Sequence, residues 1–170
     1  MKKKTKDFLK SIIESVLLAL IISILLLNFV LMSVGVDGSS MEPNLYTGDR
    51  GLSFIVNKLN GIERFDIAVI KVDGADKMLI KRVIGLPNEK IEWLDNRLYV
   101  NGKYIKEDFL GENIITADYA IELKDDEYLC VGDNRPISRD SRNYYGPFSL
   151  KEIVATDIFI FYPFNRISYK

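Results

Sequence analysis

From Val16 to Met32 every residue is apolar except Ser23 and Asn28, and Ile12, Ile13 and Val34 extend the run. Nothing else in the chain narrows its folding options as much. A helix needs about 20 apolar residues to cross hydrocarbon, and this stretch lacks the polar face that a surface helix turns to water. A cleaved leader stays open as a reading, because Ser33-Val34-Gly35 loosely fits a small-x-small site. The apolar region of such a leader is about 7–15 residues, shorter than this run. The expectation is a permanent anchor over residues 11–34. Lys2, Lys3, Lys4, Lys6 and Lys10 crowd the first ten residues against Asp7 alone. The positive-inside rule then keeps residues 1–10 in the cytoplasm and places residues 35–170 outside. Glu14 can reach the interface, and Asn28 is expected to pair with backbone or a neighbouring helix.

Beyond Gly35 the pattern changes to short strands with turn signals between them. Leu52–Val56, Asp66–Val72, Met78–Ile84, Lys90–Trp93 and Arg97–Val100 read as strands, then Lys103–Ile105, Glu127–Val131 and Ile153–Tyr162. Asn101-Gly102 is the preferred central pair of a type I′ hairpin turn. Residues 107–126 have the weakest periodicity and read as a surface excursion. The expected fold is mainly β, an antiparallel folded or barrel-like sheet behind one N-terminal transmembrane helix.

Composition removes several kinds of chemistry. The chain has no histidine, so a Ser-His-Asp triad is impossible. One cysteine permits no internal disulfide, and with no histidine beside it there are too few soft ligands for zinc. Cys130, in an apolar strand, reads as a small buried hydrophobe. No acidic run has calcium-loop spacing, and no cofactor is expected. A formal net charge of -1 gives no reason to expect nucleic acid as a partner.

Three polar segments each read two ways. Gly38-Ser39-Ser40-Met41-Glu42-Pro43 is either a turn joining anchor to domain or the carrier of a nucleophile. Lys81 lies inside the apolar strand Met78–Ile84, on the face of Leu79 and Val83. It either snorkels to water or is desolvated, which would favour the neutral amine and let it act as a base. Gly132 through Arg142 is either solvated turn or a rigid loop. In the second case Asp140 pairs with Arg142, Asp133 pairs with Arg82, and Ser138 offers its hydroxyl to a lysine amine. A serine activated by a lysine is a known variant of nucleophilic acyl transfer.

These segments, in this order behind an anchor, resemble type I signal peptidases, most of all the compact Gram-positive form. The resemblance rests on Ser40-Met41-Glu42-Pro43, on Lys81 through Pro87, and on Gly132 through Arg142, and it continues to Phe159–Phe164. Two departures stand out. Arg64-Phe65-Asp66 replaces the family's Arg-Gly-Asp, and Gly38 stands where some relatives carry an oxyanion-assisting serine. The resemblance implies a membrane-anchored endopeptidase that removes signal peptides from exported preproteins. Ser40 is then the nucleophile and Lys81 the general base, with Ser138 orienting the lysine and the Ser40 backbone N–H serving the oxyanion. The substrate, with small residues first and third before the cut, lies beside Val34–Gly38 and Met78–Ile80. Val34, Val36, Asp37, Gly38, Met41, Leu45, Leu79 and Ile80 are the expected contacts, and membrane lipid is the other partner. A self-cleaving repressor would need a DNA-binding domain where this chain has its apolar span. A non-catalytic assembly factor would be expected to have lost Ser40 or Lys81.

Overall fold

A computed structural model describes residues 2–55, 61–72, 74, 78–111 and 113–170, with helix side chains described for residues 5–25. The apolar run forms helix α1 (Lys2–Phe29). Residues Thr5–Leu25 within it have a mean hydropathy of 2.2 and are 0% buried against the rest of the chain. The helix stops short of the expected end of the span. Leu31–Gly35 is instead strand β1, paired with β2 (Arg50–Phe54) from Leu31↔Phe54 to Gly35↔Arg50. Ser33-Val34-Gly35 thus sits within a strand ladder. The side chain of Asn28, and Val56 at the end of the expected second strand, lie outside the described residues.

The strands are close to those expected. They are β3 (Ile67–Lys71), β4 (Met78–Gly85), β5 (Lys90–Leu94), β6 (Arg97–Val100), β7 (Lys103–Ile105), β8 (Tyr119–Glu122), β9 (Leu129–Val131), β10 (Ile153–Tyr162) and β11 (Ser168–Tyr169). All pairings are antiparallel, in one sheet ordered β1-β2-β10-β3-β4-β9 with β11 on β10, and another ordered β7-β6-β5-β8. Asn101 and Gly102 have φ of 50° and 77°, as a type I′ turn requires. The expected surface excursion is overturned in part. Tyr119–Glu122 pairs with β5, and Thr116 and Leu123 are buried. Its alternation was hidden because β8 is a four-residue edge strand whose outward positions are Ala120 and Glu122, so only one of them is polar.

The long strand β10 organises the larger sheet. Its register to β2 shifts between Thr156 and Ile158, around Asp157 with φ of 58°. Such a bulge bends a strand and increases its twist. Three apolar clusters hold the layers. One, under β1 and the Ser40 turn, contains Val34, Val36, Met41, Leu45, Val69 and Ile158. A second, centred on Trp93, Leu98 and Leu129, joins the two sheets. The third holds Ile70, Val83, Phe148 and Cys130, whose thiol pKa burial pushes up, so it packs as an apolar group.

Candidate active site

Ser40 is carried by a tight turn after Gly38. Glu42 N–H donates to Ser39 O at 3.2 Å and Leu45 N–H to Met41 O at 2.9 Å, while Met41 and Leu45 anchor the turn in the core. Gly38 has φ of 112°, and its N–H donates to Thr47 Oγ1 at 2.9 Å. Glycine is the residue that this backbone accepts without strain. The Ser40 backbone N–H has no acceptor among the described residues.

Lys81 reaches the serine from β4, where it is opposite Ala68 of β3. Lys81 Nζ and Ser40 Oγ share a hydrogen bond of 2.7 Å, bridging 41 residues of sequence. The lysine residue is only 4% exposed. Burial lowers its pKa, Arg142 adds to that, and the carboxylates of Asp140 and Asp133 oppose it without reversing the direction. A free amine against a hydroxyl can accept the hydroxyl proton.

The loop after β9 encloses this pair. Asn134 N–H donates to Ser40 O at 3.0 Å and its side-chain amide to Ser39 O at 3.2 Å. Both expected ion pairs form. Arg82 grips Asp133 through Nε and Nη2 at 2.8 and 2.7 Å, and Arg142 grips Asp140 at 3.0 and 2.9 Å. Burial alone would raise the Asp140 pKa, but Arg142, with smaller help from the Ser138 hydroxyl and the Gly132 N–H, outweighs it and holds the carboxyl below its ordinary value. Both carboxylates are 0% exposed, so these forks fix the loop from inside.

Ser138 is also buried, and no hydrogen bond joins its hydroxyl to Lys81; the hydroxyl instead helps hold the neighbouring Asp140 carboxyl below its ordinary value. It packs against Gly132. A Cβ on Gly132 would overlap Ser138 Oγ and come within 2.5 Å of Ser40 O, so only glycine lets the loop approach the nucleophile turn this closely.

A cleft of about 340 Å3 opens beside the pair. Seven of the expected contacts line it: Val34, Val36, Asp37, Gly38, Met41, Leu79 and Ile80. Leu45 does not. It is 0% exposed beneath the cleft floor, because the turn directs it into the core. Met32, Ser33 and Val69 also line the cleft and were not expected. Met32 and Ser33 were missed because the anchor appeared to run through them. Further supports had no signal in the sequence. Asn44 bridges Asp133 and Phe109 O at 2.9 and 2.8 Å, and Arg135 joins Glu107, which accepts from Trp93 Nε1 at 3.0 Å.

Comparison with known proteins agrees with this geometry. The family model described as signal peptidase, peptidase S26, matches residues 9–162. Signal peptidase I S of Bacillus subtilis (strain 168) is 35% identical over 98% of this chain and 98% of its own length. Signal peptidase I T of the same organism is 37% identical over 98% of this chain and 91% of its own. The crystal structure of a signal peptidase I from Enterococcus faecalis V583 superposes with a TM-score of 0.50 at 30% identity, covering 56% of this chain and 95% of that one. The chain belongs to the signal peptidase I family of serine endopeptidases, which remove signal peptides at the membrane.

Proposed function

We propose that Ser40 and Lys81 form the catalytic dyad of this signal peptidase. The observation that carries this reading is the 2.7 Å contact between a serine hydroxyl and a buried lysine amine in a chain without histidine. The neutral amine takes the Ser40 proton as Oγ attacks the scissile carbonyl, and the resulting ammonium gives it to the departing amine. Water, deprotonated by the same amine, then releases the acyl group. The Ser40 N–H, without an acceptor among the described residues, stabilises the oxyanion. Ser138 holds a buried hydroxyl ready to take a hydrogen bond from the lysine when it becomes charged.

The substrate lies extended along the cleft between β1 and the start of β4, with small side chains first and third before the cut. Val34, Val36 and Ile80 exclude larger ones sterically. Helix α1 crosses the bilayer with residues 1–10 in the cytoplasm and the β domain outside. That tether raises the effective concentration of the site toward a substrate whose own apolar segment occupies the bilayer.

The test is cleavage of a preprotein by the detergent-solubilised chain, with the cut mapped by intact mass. Ser40→Ala and Lys81→Ala should each reduce processing by at least about 10³-fold, within the range for losing a member of such a unit. Ser39→Ala should stay close to wild type. Dependence on Ser39 instead of Ser40 would refute the assignment.

A further inference from the structure

Arg166 touches neither Ser40 nor Lys81, yet it holds the rear of the loop that carries the nucleophile. That loop spans residues 36–49 and is closed at its base by Val36 N–H to Asp49 O, 2.9 Å, and Gly48 N–H to Val36 O, 3.0 Å. At its far side Asp49 Oδ2 accepts from Tyr46 N–H at 2.9 Å. Arg166, on the 3-10 turn Phe164–Arg166 beyond β10, meets the same carboxylate with Nε and Nη2, at 2.9 and 3.0 Å. Its Nη2 also donates to Asn44 O at 3.3 Å, and its guanidinium stacks 4.2 Å from the Tyr46 ring. One side chain thus contacts positions 44, 46 and 49 together. Asp49 is 2% exposed and lies 117 residues away in sequence.

The front of the loop is held separately. Asn134 grips the Ser39 and Ser40 carbonyls, and Asn44 bonds Asp133. Asn44 is therefore the shared point, its side chain tied to the front clamp and its carbonyl to Arg166. The turn Ser39–Leu45 is suspended between two ion pairs, Arg82–Asp133 and Arg166–Asp49. The cleft walls are built differently. Val34 belongs to β1 and Leu79 and Ile80 to β4, so their placement comes from the sheet ladder.

We infer that Arg166 and Asp49 are positioning residues for Ser40, setting its distance to Lys81 rather than the affinity of the cleft. This rests on the Ser40–Lys81 reading above. Displacing a reacting group by about 1 Å can cost about 100-fold in rate. A guanidinium fork suits the task because it constrains both carboxylate oxygens, whereas an ammonium is a point charge.

The experiment measures kcat and KM for full-length Arg166→Gln, Asp49→Asn, their double variant and Arg166→Lys, in detergent at a temperature where near-UV dichroism shows each folded. Both single variants should lose about tenfold or more in kcat, with KM within about twofold. The double variant should be no worse than either single one, because the two residues act as a unit. Arg166→Lys should recover part of the loss. Arg64→Gln is the control. It breaks a comparably buried pair, Arg64–Glu89, outside the nucleophile loop, and should lower Tm while leaving kcat per folded molecule unchanged. Unchanged kcat in Arg166→Gln, a loss confined to KM, or an equal kcat loss in Arg64→Gln would each overturn the inference. Ser40→Ala in the same assay separates the two claims, since activity surviving there would defeat the dyad itself.

Discussion

Burying an ammonium costs more than burying an amine, and Lys81 shows what that difference does. Desolvation, more than the nearby Arg142, drives its pKa down. Activity should therefore rise with pH as the ammonium deprotonates, with an acid limb below the ordinary lysine value. EDTA should leave that profile unchanged. The stability effect has the opposite logic from a salt bridge. The folded pKa lies below the unfolded one, so the unfolded chain binds more protons between them. The destabilising contribution is absent above the unfolded pKa, grows as pH falls, and is complete below the folded pKa. Lys81→Met should therefore be inactive but more stable at neutral pH, because it removes a buried group whose charged form the fold disfavours. A denaturant titration in which Lys81→Met is less stable than wild type at pH 7 would contradict this.

At the level of elements, the departure at Phe65 has a structural account. Its φ is 79°, the left-handed region where the family's glycine is at ease. The residue lies in the turn just before β3 and ties it to β4, donating its N–H to Val83 O at 2.7 Å and accepting from Arg82 Nη1 at 2.8 Å. The ring packs 5.0 Å from Phe109, whose own ring lies 4.1 Å from the Arg82 guanidinium. Left-handed backbone costs a residue with a Cβ about 1–2 kcal/mol, and the aromatic packing offsets it. Removing the ring should destabilise in either variant, but Phe65→Gly also relieves the strain that Phe65→Ala retains. The glycine variant should be the more stable of the two by about 1 kcal/mol. That reverses the usual order, and chemical denaturation of the two proteins side by side would reveal an unreversed one.

For the whole molecule, the consequence is orientation. Five lysines precede the span, and every strand follows it. In sealed inside-in vesicles, external protease should digest the β domain and leave α1 with its lysines protected. A domain shielded on the lysine side would reverse the topology and separate the site from signal peptides emerging at the outer face. Slow trimming near Gly35 is expected only in concentrated detergent solution. Ser40 is too near along the chain to reach that bond, and β1 must first leave its ladder with β2 before another molecule can take it.

Local patterns carried much of this protein. Apolar length announced the helix, alternation announced most strands, and Asn101-Gly102 announced its turn, because each depends on neighbours within a few residues. The missing histidine reduced the choice of base before any geometry was known. Ser40, Lys81 and the Asp133 and Asp140 forks were legible as polar residues placed where an apolar pattern would otherwise continue. Other features depended on distances that local order does not encode. Strand β1 was hidden behind an apolar anchor, Leu45 sank into the core, and β8 passed for loop because an edge strand buries too little to alternate clearly. Tertiary structure alone decided that Gly132 must be bare to admit the Ser40 turn, and that Arg166 meets a carboxylate 117 residues away. Those choices were settled only when sheet bending brought distant segments to contact, where burial and hydrogen-bond geometry, not local pattern, set the energy.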